Sequence, residues 1–364
     1  MKVLTAGGAM IDTIAVIADE RIERMAMRNA ETSFLLLEEG RKNEAEDIST
    51  HCGGGAVNAA VAFARLGHDV SVFCKLGRDS RAETILARLA EEGVSARFVL
   101  RDGRAPTGAS VLVSAHDRNA AIFTFRGANT LIEPKDLKKA AFAADLVYVS
   151  SLSNESAECY PLIVDQAKAE GALVATNPGI RQLSARQKSF RDVVGKIDIL
   201  AVNRLEAEAL VPWLVAHAGE GGHALPAQSG KAMPELARRG LMGGGFELSL
   251  SRFFKSLHEL GPKWIVLTDG KDGAFIGAPS GILHCPAPVV AVAGTAGAGD
   301  AYNATFAAFI AESQSAEEAA CQAAANAASV ISYLDTQTGL LDRETLETRV
   351  QELRRTLCLT HWTG

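Results

Sequence analysis

The sequence predicts an α/β protein: a mainly parallel β-sheet covered by helices on both faces, with a small β-sheet outside the core. Three observations carry that prediction. Apolar runs at 2–6, 70–77, 146–150, 173–177 and 197–202 are short enough for strands and continuous enough to be buried on both sides. Helical runs such as 59–67, 80–92 and 157–170 lie between them, and strand–helix–strand order makes right-handed parallel crossovers. The 364 residues, 48% apolar and 22% charged, suit one large α/β unit with an accessory element, or two domains.

Composition also excludes functions. A net charge of −6 offers nucleic acid or an anionic membrane nothing to hold. No apolar run reaches the roughly 20 residues that span a bilayer. Residues 1–17 lack the charged start and long apolar core of a secretory leader, so a cytoplasmic protein is expected. The six cysteines are scattered with no Cys-x-x-Cys pair, against both a disulfide framework and a zinc ribbon. The eight histidines include no His-x-x-x-His pair, so no transition-metal centre is expected.

Taken in order, residues 2–6 form a first strand that ends at Gly7 and Gly8. Residues 9–12 continue it and put Asp12 just past the glycine turn, as a turn residue or a ligand group. Residues 34–37 are strand-like and precede a charged run containing Arg41 and Lys42, together a small sheet outside the core. Cys52-Gly53-Gly54-Gly55 leads into an apolar helix stopped by Gly67, with Asn58 as a cap or a hydroxyl-binding amide. Gly-x-Gly-x-x-Gly spacing is absent there, so the dinucleotide fingerprint is not met. Residues 110–113 and 121–125 read as hairpin strands around a polar turn at 116–119, closed by 126–129.

Strand 197–202 ends in Asn203-Arg204-Leu205-Glu206, which opens a helix through Leu210. Glu206 reads as a capping-box acid or as a group facing a ligand at the carboxyl end of the strand. Residues 212–260, rich in glycine, interrupt the alternation and read as an exposed insertion; Gly230-Lys231 does not complete a Walker A loop. A strand at 264–268 turns at Thr268-Asp269-Gly270 into its hairpin partner, and 289–292 leads to the next helix. An alanine-rich helix over 316–333 carries Asn326, as a core amide or a contact, and 342–355 is an amphipathic helix.

Between those last elements lies Gly294-Thr295-Ala296-Gly297-Ala298-Gly299-Asp300, followed by an apolar helix. Glycines at alternate positions let backbone approach a ligand, and the helix start offers unpaired N–H groups to an anion. Asp300 is then a cap, or a base that takes a proton from a hydroxyl attacking a phosphoryl group.

Four features occur in a fixed order: Gly53-Gly54 with Asn58; Asn203 with Glu206; Thr268-Asp269-Gly270; and Gly297-Ala298-Gly299-Asp300. This order resembles the ribokinase-like (PfkB-type) carbohydrate kinases over nearly the whole chain, the insertion excepted. The resemblance implies a single domain over 1–364, a three-layer α/β/α sandwich with lid segments near 13–50 and 105–128. It implies transfer of the ATP γ-phosphoryl group to a hydroxyl of a small sugar or, alternatively, a nucleoside, or a binding protein without the chemistry. Asp300 would be the base, and the amides of Gly297, Ala298 and Gly299 the anion hole. Glu206 would serve Mg²⁺, with Asn203, Thr268, Gly270, Thr295 and Asn326 on the nucleotide. Asp12, Gly53, Gly54, Asn58 and Arg126 would bind the acceptor. Little K⁺ dependence is expected, because Gly294 stands where the family usually has an acid. The strand end at Ser150-Ser151-Leu152-Ser153 lacks the glutamate that ribokinase offers its sugar. Phe34, Phe123 and Phe125 could line a slot for a nucleoside base. A phosphosugar would need clustered basic residues, for which Arg126, Arg41 and Lys42 are the candidates. Lid edges could pair two subunits into a dimer.

Overall fold

The structure, a computed structural model, describes residues 1–17, 23–26, 33–36, 42, 44–115, 120–227 and 233–362. A ten-stranded sheet organises it, in the order Thr360–Trp362, Gly281–Cys285, Ala274–Ala278, Trp264–Thr268, Ile199–Asn203, Leu173–Thr176, Leu146–Val149, Lys2–Ala6, Asp69–Leu76 and Ser95–Arg101. From Ser95–Arg101 to Trp264–Thr268 every pairing is parallel, and the last three strands are added antiparallel. Successive residues alternate between two cores, as strand geometry requires. Val3, Val72, Tyr148, Ala201 and Val266 face the helices Gly55–Arg65, Ala298–Ala311 and Ala316–Val330. Leu4, Phe73, Val147, Leu200 and Leu267 face Tyr160–Ala169, Arg204–Ala218 and Leu250–Leu260.

A separate four-stranded sheet has the order Asp47–Gly53, Met10–Ile17, Gly108–Ala115, Ala120–Phe125. Its register sets Asp12 opposite His51 and Ser110, and Ser110 opposite Thr124, so these share one face. Val111 and Phe123 are paired on the other face. A two-stranded hairpin, Glu23–Ala26 with Ser33–Leu36, covers part of the expected segment at 34–37; Leu37 and Arg41 lie outside the described residues. The turn at 116–119 lies outside them too.

Several expectations are corrected. Residues 9–12 do not continue the first strand: the chain breaks at Gly7, whose φ is +145°, and Met10 begins the central strand of the small sheet. The helix from Arg204 runs to Ala218 through Pro212, because burial of Leu210, Val211 and Leu214 outweighs the lost N–H. Helix Leu250–Leu260 buries Phe253, Phe254 and Leu257, so this part of 212–260 is core rather than exposed surface. Ser95–Arg101, Gly281–Cys285 and Thr360–Trp362 form strands not expected from the sequence.

Candidate active site

The carboxyl ends of the parallel strands meet the open side of the small sheet around the start of helix Ala298–Ala311. Gly297 caps that helix at φ +79° with no side-chain cap. A Cβ there would lie 2.7 Å from Thr336 Cβ, so both conformation and crowding require glycine. The first α-helical bond here runs from the Ala301 N–H to the Gly297 carbonyl (2.9 Å), leaving the N–H groups of Ala298, Gly299 and Asp300 for a ligand. A Cβ on Gly299 would meet nothing within 4 Å, so the helix start opens into space.

Asp300 Oδ2 accepts a 2.8 Å hydrogen bond from Asn58 Nδ2. Asn58 is buried, and its Oδ1 accepts from Thr336 Oγ1 (2.9 Å) and Gln337 Nε2 (3.0 Å). Two donors on Oδ1 fix which way the amide points, so Nδ2 faces the acid. Gln337 is held in turn by Arg88 Nε at 3.1 Å, on helix Ser80–Glu91. Burial pushes the Asp300 carboxyl above the usual carboxylate range; the Asn58 amide works against this, and the Asp12 charge adds to it. Such a carboxylate, with one oxygen held and a raised proton affinity, is suited to take a proton from a bound hydroxyl.

Asp12 lies across the cleft on the small sheet. Its Oδ1 accepts from Ser110 Oγ at 2.5 Å, and burial raises its pKa against the bond from Ser110 and the charge of His51. Gly53 and Gly54 stand beside it for steric reasons. A Cβ on Gly53 would collide with the Asp12 carboxylate, and one on Gly54 would lie 2.8 Å from Ala9 Cα. Neither glycine has a side chain to offer an acceptor; Gly53 makes room for the Asp12 carboxylate and Gly54 for the Gly8–Ala9 backbone. A Cβ on Gly55 would sit 3.0 Å from Ser150 Oγ and 3.5 Å from Asp300 Oδ1, which places Ser150 beside the acid. Ser150 is buried and its hydroxyl has no hydrogen-bond partner. Arg126 Nη1 donates to Ser153 Oγ (2.9 Å) at the far end of the same loop.

On the opposite side, Asn203 and Glu206 form a reciprocal capping box: Glu206 N–H to Asn203 Oδ1 (2.9 Å) and Asn203 N–H to Glu206 Oε2 (2.9 Å). Asn177 Nδ2 also donates to Glu206 Oε2 (3.1 Å). Glu206 is 6% exposed; burial raises its pKa, the bonds from Asn203 and Asn177 oppose the rise, and the Asp300 charge adds to it. Asn203 pairs with Thr268 at the ends of neighbouring strands. Gly270, at φ +54°, opens the turn that follows, and Thr295 is exposed ahead of Gly297. Asn326 departs from its expected place on the nucleotide. It is 0% exposed, its Nδ2 donates to Thr305 Oγ1 and its Oδ1 accepts from the Leu341 N–H, so it ties the frame together. Among the described residues no group of three or more His, Cys, Asp or Glu could hold a metal by itself. One buried carboxylate beside a helix start with free N–H groups fits Mg²⁺, which keeps waters and shares phosphate oxygens.

A family model for pfkB carbohydrate kinases matches residues 22–228 and 248–343. The chain belongs to the pfkB family. It is therefore a kinase, a phosphotransferase with an alcohol acceptor. Similar pfkB-type sequences include a deoxyribokinase of Salmonella typhi, 26% identical over 327 residues, or 89% of this chain and 94% of the relative. Solved structures of the same fold include Arabidopsis thaliana ribokinase complexed with ribose and ATP (TM-score 0.71, 21% identity, 96% of this chain, 98% of that one). Another is a Burkholderia thailandensis nucleoside kinase in complex with inosine (TM-score 0.70, 17% identity, 98% of this chain, 100% of that one).

Sequence reasoning missed Ser110, Ser150, Asn177, Thr336 and Gln337. Strand register decides Ser110, and tertiary packing decides the others, so only the polar residues at strand ends carried any signal. The aromatic slot is a correction. Phe123 and Phe125 are 60% and 51% exposed on the face of the small sheet opposite Asp12, because their strand alternates with Thr124 on the Asp12 face. Phe34 has no described side chain.

Proposed function

We propose that this kinase transfers the γ-phosphoryl group of ATP to a hydroxyl of a small sugar, with Asp300 as general base. One observation carries the reading: Asp300 is fixed by Asn58 (2.8 Å) in the first turn of a helix whose free amides face open space. The acceptor hydroxyl lies between Asp12 and Asp300, with Ser150 beside it. Its oxygen forms the new bond to the γ-phosphorus, its proton passes to Asp300, and the bond from that phosphorus to the β–γ bridging oxygen breaks to release ADP. The amides of Ala298, Gly299 and Asp300 stabilise charge on the transferring group, and Gly297 shapes the turn that aims them. Asn203, Thr268, Gly270 and Thr295 flank the nucleotide phosphates. Glu206 would hold Mg²⁺, which would supply charge neutralisation at those phosphates. The small sheet acts as a lid that excludes competing water.

A sugar is preferred over a nucleoside because Phe123 and Phe125, two of the residues expected to hold a base, face away from Asp12. The test is ADP release with ATP and Mg²⁺ across sugars and nucleosides. Turnover with at least one sugar and none with nucleosides is expected. Acceptors that raise the melting temperature without releasing ADP would make the protein a binding module instead. The outward lid face, with Ile48, Val111, Phe123 and Phe125 exposed, supports pairing of two copies. Light scattering should then give a dimer that Phe123→Asp dissociates, and a monomeric wild type would refute it.

A further inference from the structure

Many arginine side chains are closed by partners, while others, such as Arg81 with one 3.4 Å bond to the Thr107 carbonyl and Arg97 over the Phe98 ring, are not. Arg65 donates through Nε and Nη2 to Glu92 and through Nη1 to the carbonyls of Gln337 and Leu340. Arg104 is held by Asp102 and Glu133. Arg126 and Arg181 belong to the less closed group, and they bond to successive residues of one loop. Arg126, partly buried at the end of strand Ala120–Phe125, donates one hydrogen bond, to the neutral hydroxyl of Ser153. Arg181, on the short helix Gly179–Ser184, donates one long bond (3.4 Å) to Asn154 Oδ1. Among the described residues neither is in an ion pair, although a guanidinium has five donors to place.

The two are neighbours. Burial pushes Arg126 below its ordinary pKa, and the Arg181 charge adds to that shift. Like charges drawn together without a carboxylate are costly unless an anion completes the site. Both arginines hang on one loop, which runs from Ser150 beside Asp300 to Ser153 and Asn154. The loop turns at Asn154, whose φ of +50° is tolerated best by asparagine among side chains. Three residues of extended chain reach at most about 11 Å, so the guanidiniums stand one short sugar chain away from the base. Arg126 directly follows strand Ala120–Phe125, whose Thr124 shares a face with Ser110 and Asp12.

We infer that Arg126 and Arg181 form an anion subsite, so that the acceptor carries a terminal phosphate ester or carboxylate at the end remote from the hydroxyl that is phosphorylated. The inference rests on the kinase reading and names its substrate class. The sequence offered Arg126, Arg41 and Lys42 for such a site and not Arg181, which is brought beside Arg126 by the loop and by Gly179, whose missing Cβ would lie 2.7 Å from Ser151 Cβ.

The experiment compares matched acceptors with ATP and Mg²⁺: fructose 6-phosphate against fructose, and gluconate against sorbitol. A charge-assisted contact is worth roughly 10- to 100-fold, so kcat/KM for one anionic acceptor should exceed its neutral partner by at least that factor. Preference for fructose 6-phosphate marks a phosphate site, and preference for gluconate a carboxylate site. Arg181→Gln, an exposed change, should cut the anionic-to-neutral ratio about tenfold, mainly through KM. Arg126→Gln should cut it further, with Arg126→Lys restoring part. Neutral sugars matching their anionic partners would overturn the subsite and leave the kinase intact, as would an unchanged ratio in Arg181→Gln. If no acceptor releases ADP, the kinase reading falls, and calorimetric binding of the same four compounds decides the subsite: equal affinities for neutral and anionic members would overturn it.

Discussion

Replacing Asn58 with leucine, which has nearly the same shape, removes the amide that holds the base. The bond from Asn58 Nδ2 to Asp300 is 2.8 Å, and a hydrogen bond to a charged group is worth about 1.5–3 kcal/mol. It favours ionised Asp300, so its loss raises the Asp300 pKa further and moves the acid limb of kcat/KM to higher pH. On that limb kcat/KM should fall roughly 10- to 100-fold, and the deficit should shrink as pH rises. The change also strands the donors of Thr336 and Gln337, at about 1–3 kcal/mol for each buried unpaired group, so a lower Tm accompanies it. The assay is a pH series of ADP release for wild type and variant, with Tm recorded beside it. A variant whose pH profile superimposes on wild type would refute the claim that Asn58 tunes the base.

Gly297→Ala forces a side chain into φ +79° and against Thr336 Cβ, for a destabilisation of about 2–4 kcal/mol in chemical denaturation; an unchanged midpoint would count against the geometry. Glu206→Gln keeps an oxygen to accept from Asn203 and Asn177 but loses the charge. Because burial favours protonated Glu206, its ionised form is a stability loss that sets in as pH rises through the raised pKa. The variant should therefore match or exceed wild-type Tm at neutral pH while needing roughly tenfold more Mg²⁺ for half-maximal rate; an unchanged Mg²⁺ titration would reduce Glu206 to a helix cap. Potassium should stimulate turnover little, since Gly294 offers no carboxylate and a Cβ there would already sit 3.2 Å from the Tyr333 carbonyl; strong activation in a K⁺ titration would contradict this.

The sequence made the central sheet legible because its strands are buried on both faces and read as plain apolar runs. The edges were less visible. Gly281–Cys285 and Thr360–Trp362 are short and interrupted by His284 and His361, so neither shows the pattern of a buried strand. Helix Leu250–Leu260 was hidden by the glycines before it, although Phe253, Phe254 and Leu257 stand at helical spacing. At the site, Asp300, Asn58, Asp12 and Glu206 could be named because glycine turns and strand ends flag them. What each one touches could not. Asn58 looked like an acceptor-binding amide, yet its amide nitrogen faces Asp300, an orientation set by Gln337, nearly the whole chain away. Asn326 looked equally plausible as a contact or as core, and complete burial with both amide ends bonded decides for core.

The central claim is that Asp300 takes the acceptor's proton. Asp300→Asn keeps an oxygen for Asn58 and removes the base, so one comparison isolates the role: the rate of ADP release at saturating ATP, Mg²⁺ and acceptor, with acceptor affinity measured by calorimetry. The rate should fall by about 10²- to 10⁴-fold while acceptor binding stays within a few-fold of wild type. Turnover near the wild-type rate would show that Asp300 is not the base.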